Sequence, residues 1–161
     1  MKRIAVFPGS FDPITKGHES IVRRAVKIFD EIYVAIGENS EKVTFFSIDK
    51  RLEWIIKVFE DEKKVKTVKY NGLTVDFCRE VKADFILRGL RTSADFEFER
   101  SIGQINKNLD PEIETVFLLT NPEFTALNSS IVRDILRHGG NPSKFVPAAI
   151  AQDILKQNRP E

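Results

Sequence analysis

Short runs of strand-forming residues alternate with stretches of helical periodicity along this chain, and that alternation limits its fold more than any other feature. The runs Ile4 to Phe7, Ile32 to Ile36, Val65 to Tyr70, Phe85 to Leu87 and Thr115 to Leu119 are bounded by turn formers. Most are mixed apolar runs, the pattern of strands covered on both faces. Between them Ile21, Val22, Ala25, Val26 and Phe29 share one helical face, as do Leu52, Ile55, Ile56 and Phe59, and more weakly Val75, Cys78 and Val81. This order, joined by right-handed crossovers, predicts an α/β fold: a doubly wound parallel five-stranded sheet with helices on both sides. The stretch "NSSIVRDILRHGGNPSKFVPAAIAQDILKQ" adds two C-terminal helices separated by the stop signal Gly139, Gly140, Asn141 and Pro142. With 161 residues, 42% of them hydrophobic, and no repeat or linker, one domain over 1–161 is expected.

Charge excludes two classes of partner. Lys and Arg total 25 against 24 Asp and Glu, a net charge of +1, so no whole-molecule field favours nucleic acid or an anionic membrane. Any anion site must be local. No apolar run approaches the roughly 18 to 20 residues that span a bilayer, and "MKRIAVF" has no leader pattern, so a cytoplasmic protein is expected. Cys78 is the only cysteine and the two histidines are far apart, which gives no disulfide and no zinc-ligand spacing. No metal ligand is expected from the chain, and Cys78, among apolar neighbours, reads as a packed thiol.

In open α/β sheets ligands bind beyond the carboxyl ends of the strands. The unusual polar clusters do follow the strands: "PGSFDPITKGH" the first, "GENSEKVTF" the second, "NGLT" the third, "RGLR" the fourth and "TNPEFTALNSS" the fifth. In the first cluster Gly9 permits a tight turn, Pro13 halts regular structure and Thr15 stands where an N-cap belongs. That count puts His18 at the third helical position, where a capping box prefers Glu or Gln. Local stability is therefore not expected to account for the imidazole. A helix N-terminus attracts phosphate, and His18 adds a donor aimed the same way, with Gly17 keeping the turn bare. Arg88 and Arg91 directly follow a strand, so each needs an anion: a ligand phosphate, or a carboxylate such as Asp95, Glu97 or Glu99.

Three segments carry a family resemblance. "GSFDPITKGH" resembles the first signature of the nucleotidylyltransferase superfamily, "NSSIVR" at 128–133 resembles its second, and "LRGLRTSADFEFE" at 87–99 is similar to the phosphopantetheine adenylyltransferase branch. The three occur in order and without insertion, and the resemblance extends along nearly the whole chain. Thr15 opens the first signature where other branches often have histidine, and Asn128 replaces a common serine with an amide. The resemblance implies a Rossmann-like nucleotidylyltransferase fold and transfer of AMP from ATP to 4'-phosphopantetheine, giving dephospho-coenzyme A and pyrophosphate. The attacking group would be a phosphate with a second pKa near 6, a competent nucleophile without a general base. Holding two anions in line would be the remaining task.

By that resemblance His18, Lys42 and Arg91 carry catalysis, and Ser10, Phe11, His18, Gly89, Leu90, Arg91, Glu99 and the run Phe124, Thr125, Ala126, Leu127, Asn128, Ser129 and Ser130 bind ATP. Ser10, Lys42, Thr74 and Arg88 bind the acceptor. Mg²⁺ would arrive with ATP, and a homohexamer is implied. Phe96 and Phe98 read as core and oligomer packing, and His138 as a helix C-terminal cap. Alternatives are a sister enzyme using CTP with glycerol phosphate or ATP with a nicotinamide nucleotide, and a non-catalytic nucleotide-binding module.

Overall fold

The computed structural model describes residues 1–157; the last four residues of the expected 1–161 domain lie outside the described residues. Five strands, β1 (Ile4–Gly9), β2 (Glu31–Glu38), β3 (Val65–Asn71), β4 (Phe85–Leu90) and β5 (Glu114–Leu119), form one sheet in the order β3-β2-β1-β4-β5. Every pairing is parallel, with Ala5 opposite both Ile32 and Phe85. The crossovers are α1 (Lys16–Ala25), α2 (Ile48–Val58), α3 (Thr74–Val81) and α4 (Ser93–Leu109). After β5 come α5 (Ser129–Arg137) and α6 (Ala151–Gln157), as the two terminal periodic stretches predict.

Because side chains alternate along a strand, each strand feeds two cores. Ala5 and Phe7, Ile32, Val34 and Ile36, and Leu87 face α1, α2, α5 and α6 in the larger core. Val6, Ala35 and Ile86 face the smaller one with Val75, Phe77 and Cys78 of α3. Cys78 is the packed thiol expected: burial first, then the charge of Asp110, pushes its pKa up to about 12.

Two expectations need correction. Strands covered on both faces describe β1 and β2 but not the edges: β3 alternates partly buried with exposed residues, and Leu119 of β5 is 72% exposed. An edge strand lacks a neighbour and here also lacks full helical cover. In α2 the buried face is Arg51, Trp54, Ile55 and Val58, continued by Phe59 just past its end, whereas Ile56, expected inside, is half exposed. The helix is rotated because Trp54, with the largest ring in the chain, packs edge-on to Phe46, and Arg51 turns inward to backbone carbonyls.

Candidate active site

All strands of a parallel sheet end at one edge, so the segments after β1, β2, β4 and β5 converge there. Of the cavities that open at that edge, two share the wall around Ser10 and Arg88. The larger, about 360 Å³, is lined by Ser10, Phe11, His18, Lys42, Arg88, Gly89, Arg91, Glu99, Phe124, Leu127, Asn128, Ser129 and Ser130. The smaller, about 290 Å³, lies between α4 and the sheet and is lined by Tyr70, Thr74, Ile102, Asn106 and Thr115. Pro8, Gly9, Ser10, Arg88 and Glu99 line both, so the two are lobes of one cleft. Of the residues expected at the site, Leu90, Thr125 and Ala126 line neither lobe: Leu90 is buried beneath, and the other two face outward.

The turn after β1 folds back on itself. A Cβ on Gly9 would stand 2.9 Å from the Phe11 ring, so glycine is what lets that ring tuck in. Phe11 has φ 46, in the left-handed region that an aromatic residue adopts only when its surroundings force it. Its ring meets Phe7 and His18 edge-on, with centroids 5.5 and 5.1 Å away.

Thr15 caps α1 as expected, but His18 does serve local stability. The Thr15 hydroxyl accepts from the His18 backbone N–H at 3.4 Å, and the Thr15 backbone N–H donates to His18 Nδ1 at 3.0 Å. The imidazole takes the reciprocal half of a capping box, because Nδ1 offers a lone pair where Glu would offer an oxygen. This bond has a chemical consequence. An Nδ1 that accepts from a backbone N–H carries no proton, so the ring's one hydrogen is on Nε2. Burial first, then the Arg88 and Arg91 charges, push the pKa of His18 down to about 4.

The ring therefore stays neutral at physiological pH. Because the unfolded chain takes up a proton near pH 6.5 and the folded chain only near 4, this contribution to stability is complete above 6.5 and declines as pH falls toward 4. Ring ¹⁵N NMR should show the neutral Nε2–H form persisting through pH 6.5, with titration only near 4; a midpoint at 6.5 would refute the assignment.

The carboxylate alternatives for the two arginines are resolved. Arg88 grips Glu99 through Nε at 2.8 Å and Nη2 at 2.6 Å, and Nη1 donates to the Pro8 carbonyl at 2.6 Å. Arg91 grips Asp95 through Nε at 3.0 Å and Nη2 at 3.1 Å and reaches the Leu127 carbonyl at 3.3 Å. Glu97 points away and pairs with Arg100. Each fork is held by one carboxylate and one carbonyl, which fixes its direction into the cleft. The Lys42 ammonium donates to Ser10 Oγ at 2.9 Å, and Thr74 shares a hydrogen bond with the Tyr70 hydroxyl at 2.8 Å in the smaller lobe.

Asn128 serves as an N-cap, a job serine does equally well: its side-chain oxygen accepts from Ile131 N at 2.9 Å at the start of α5. Ser129 donates to the Pro13 carbonyl at 2.8 Å, and Ser130 accepts from Arg133 at 3.0 Å. The Ser129 proton is thus used, whereas the Ser130 hydroxyl keeps its own, so an anion here meets that O–H and the free N–H groups of the first turn. Arg133 and Thr120 line the cleft without having been singled out from the sequence, as does Asp95, which was expected only as an arginine partner. Arg133 was visible as the last residue of "NSSIVR", four after Ser129 and hence on the same helical face. His138 caps the other end of α5, with Nδ1 2.9 Å from the Asp134 carbonyl and Gly139 following at φ 73.

A neutral donor, four cations (Lys42, Arg88, Arg91 and Arg133) and a helix N-terminus thus surround a two-lobed cleft whose lobes meet at Ser10 and Arg88. Such a site can hold two phosphate-bearing molecules end to end.

Comparison with known proteins agrees. Residues 6–135 match the cytidylyltransferase-like family. The chain is 54% identical over 148 residues to phosphopantetheine adenylyltransferase of Flavobacterium johnsoniae, covering 92% of this chain and 97% of that protein. It is 46% identical over 157 residues to the Leptospira biflexa enzyme of the same name, covering 98% of each. In structure it resembles, with TM-score 0.71 and 16% identity, a Vibrio parahaemolyticus protein provisionally assigned as a nicotinate-nucleotide adenylyltransferase, over 98% of this chain and 94% of that one. The last likeness speaks for the fold, a Rossmann-like nucleotidylyltransferase sheet. From its cleft and from these relatives, the chain belongs to the phosphopantetheine adenylyltransferases, within the cytidylyltransferase-like family.

Proposed function

We propose that the cleft binds ATP in its larger lobe and 4'-phosphopantetheine in its smaller one, and transfers the adenylyl group by in-line attack with no covalent intermediate. Dephospho-coenzyme A and pyrophosphate are the products. The observation that carries this reading is the shared wall: Ser10, Arg88 and Glu99 line both lobes, so the phosphate ends of the two substrates would meet there.

The acceptor phosphate attacks the α-phosphorus directly, its second pKa near 6 leaving it doubly charged without a base. His18 Nε2–H donates to an α-phosphate oxygen as charge builds in the transition state, and being neutral it keeps its proton throughout. Arg91 and the first turn of α5 hold the polyphosphate. Lys42 and Arg88 hold the acceptor phosphate, with Ser10 at the junction. Thr74, Ile102 and Asn106 line the channel for the pantetheine arm. Mg²⁺ would be carried by the nucleotide, offsetting charge on the departing pyrophosphate. This suits the donor set, because the cleft carboxylates Asp95 and Glu99 are both taken by arginines and Asp12 by backbone N–H groups.

A homohexamer in the cytoplasm is part of the same proposal. On α4, Phe98, Ile102, Ile105 and Leu109 fall at helical spacing, each at least 39% exposed, a stripe suited to burial against another copy.

Pyrophosphate release tests the reading. It should require ATP and phosphopantetheine together and vanish when either is omitted. Release from CTP plus glycerol phosphate, but not from that pair, would overturn it.

A further inference from the structure

We propose that Arg51 and Asp12 are a buried positioning pair that fastens the inner end of the Lys42 loop to the Ser10 turn, and so sets the affinity for the acceptor phosphate. This rests on the functional reading above.

The loop between β2 and α2, residues 39–47, carries Lys42. Its outer part is open to solvent: Val43, beside Lys42, is 97% exposed. Its inner end is the reverse. The Asp12 carboxylate accepts from the backbone N–H of Phe45 at 2.7 Å and of Phe46 at 2.9 Å. The Phe46 carbonyl accepts from Arg51 Nε at 3.1 Å. Arg51 Nη1 then donates to the Ser10 carbonyl at 2.6 Å. One guanidinium thus joins the loop to the backbone of the residue whose hydroxyl receives Lys42.

The same device steadies the strained turn. Phe11 is flanked by two carbonyls, each gripped by an arginine: Ser10 O by Arg51 and Asp12 O by Arg133, at 2.6 and 2.7 Å. Asp12 and Arg51 are 4% and 5% exposed. An apolar pair would bury at lower cost, so two charges spent on backbone groups speak for a geometry rather than for stability. Neither side chain lines the acceptor lobe: Asp12 lines the nucleotide lobe with Lys42, and Arg51 lines a neighbouring cavity with Lys42 and Ser10, so their route to the acceptor phosphate runs through Lys42 and Ser10.

A double-mutant cycle reads this directly. Arg51→Lys keeps the charge and loses the two-point fork; Asp12→Asn keeps the shape and loses one acceptor. Each should raise KM for phosphopantetheine by about tenfold, the scale of one charge-assisted hydrogen bond, with KM for ATP changed much less. In a Lys42→Ala background neither should raise the acceptor KM further. Equal losses for both substrates, or additive effects with Lys42→Ala, would overturn the proposal. Amide hydrogen exchange gives a second readout that needs no substrate: Phe45 and Phe46 should be protected in the parent chain and exchange faster in both variants. Unchanged protection overturns the fastening itself. Absence of turnover in the parent chain would instead tell against the functional reading, leaving the exchange result to decide this one.

Discussion

Replacing His18 with glutamine should lower kcat by about 10² to 10³, the effect of removing one preorganised donor to a developing oxyanion, while the chain folds and binds ATP nearly as before. Glutamine is the informative choice because it separates two jobs. His18 Nδ1 accepts the Thr15 backbone N–H at 3.0 Å, completing the cap of α1. A glutamine oxygen can take that bond in the way capping boxes ordinarily do, so the helix start survives. What glutamine does not reproduce is the N–H held rigidly on the far side of a planar ring, wedged against Phe11. His18→Ala loses both, with about 1 kcal/mol of cap stability in addition. Thermal unfolding, calorimetric ATP binding and pyrophosphate release read the three quantities separately. If His18→Gln turns over at the parent rate, the imidazole has only the structural role.

Arg88→Ala should be the most damaging change to stability and acceptor binding together. The guanidinium holds both oxygens of Glu99, a carboxylate 8% exposed, as well as the Pro8 carbonyl at the end of β1. Removing it leaves a buried negative charge without its partner, a loss of about 3 kcal/mol. It also removes a charged fork from the wall shared by the lobes, raising the acceptor KM by about 10- to 100-fold. Stability and binding can be told apart with Arg88→Ala/Glu99→Gln, in which the orphaned charge is gone. The unfolding midpoint should recover most of its value while the acceptor KM stays high. Recovery of both would mean that Arg88 serves Glu99 alone and binds no phosphate.

Much of this molecule is legible along the chain. The five strands lie where branched and aromatic runs stand between turn formers, near-continuous in the central β1 and alternating in the edge strand β3. The site is legible too, at the level of segments: a parallel sheet delivers every strand end to one edge, so polar clusters that follow strands must meet. Thr15 as N-cap and His138 before Gly139 are read from neighbours within one helical turn.

Other features depend on residues distant in the chain. The rotation of α2 followed from Trp54 and Arg51 finding partners at Phe46 and Ser10, whereas periodicity alone favoured Ile56. Sequence offered three carboxylates to two arginines; Asp95 meets Arg91 and Glu97 meets Arg100 within one helical turn, but only the placement of α4 over β4 assigned Glu99 to Arg88. The tautomer of His18 needed the direction of one backbone N–H. By itself the sequence determined element types, their order and the edge where the polar clusters meet, because these follow from local periodicity and from the geometry of parallel sheets. Tertiary structure alone decided which charge faces which, because hydrogen bonds act over about 3 Å and distances that short between separate segments exist only after the chain has folded.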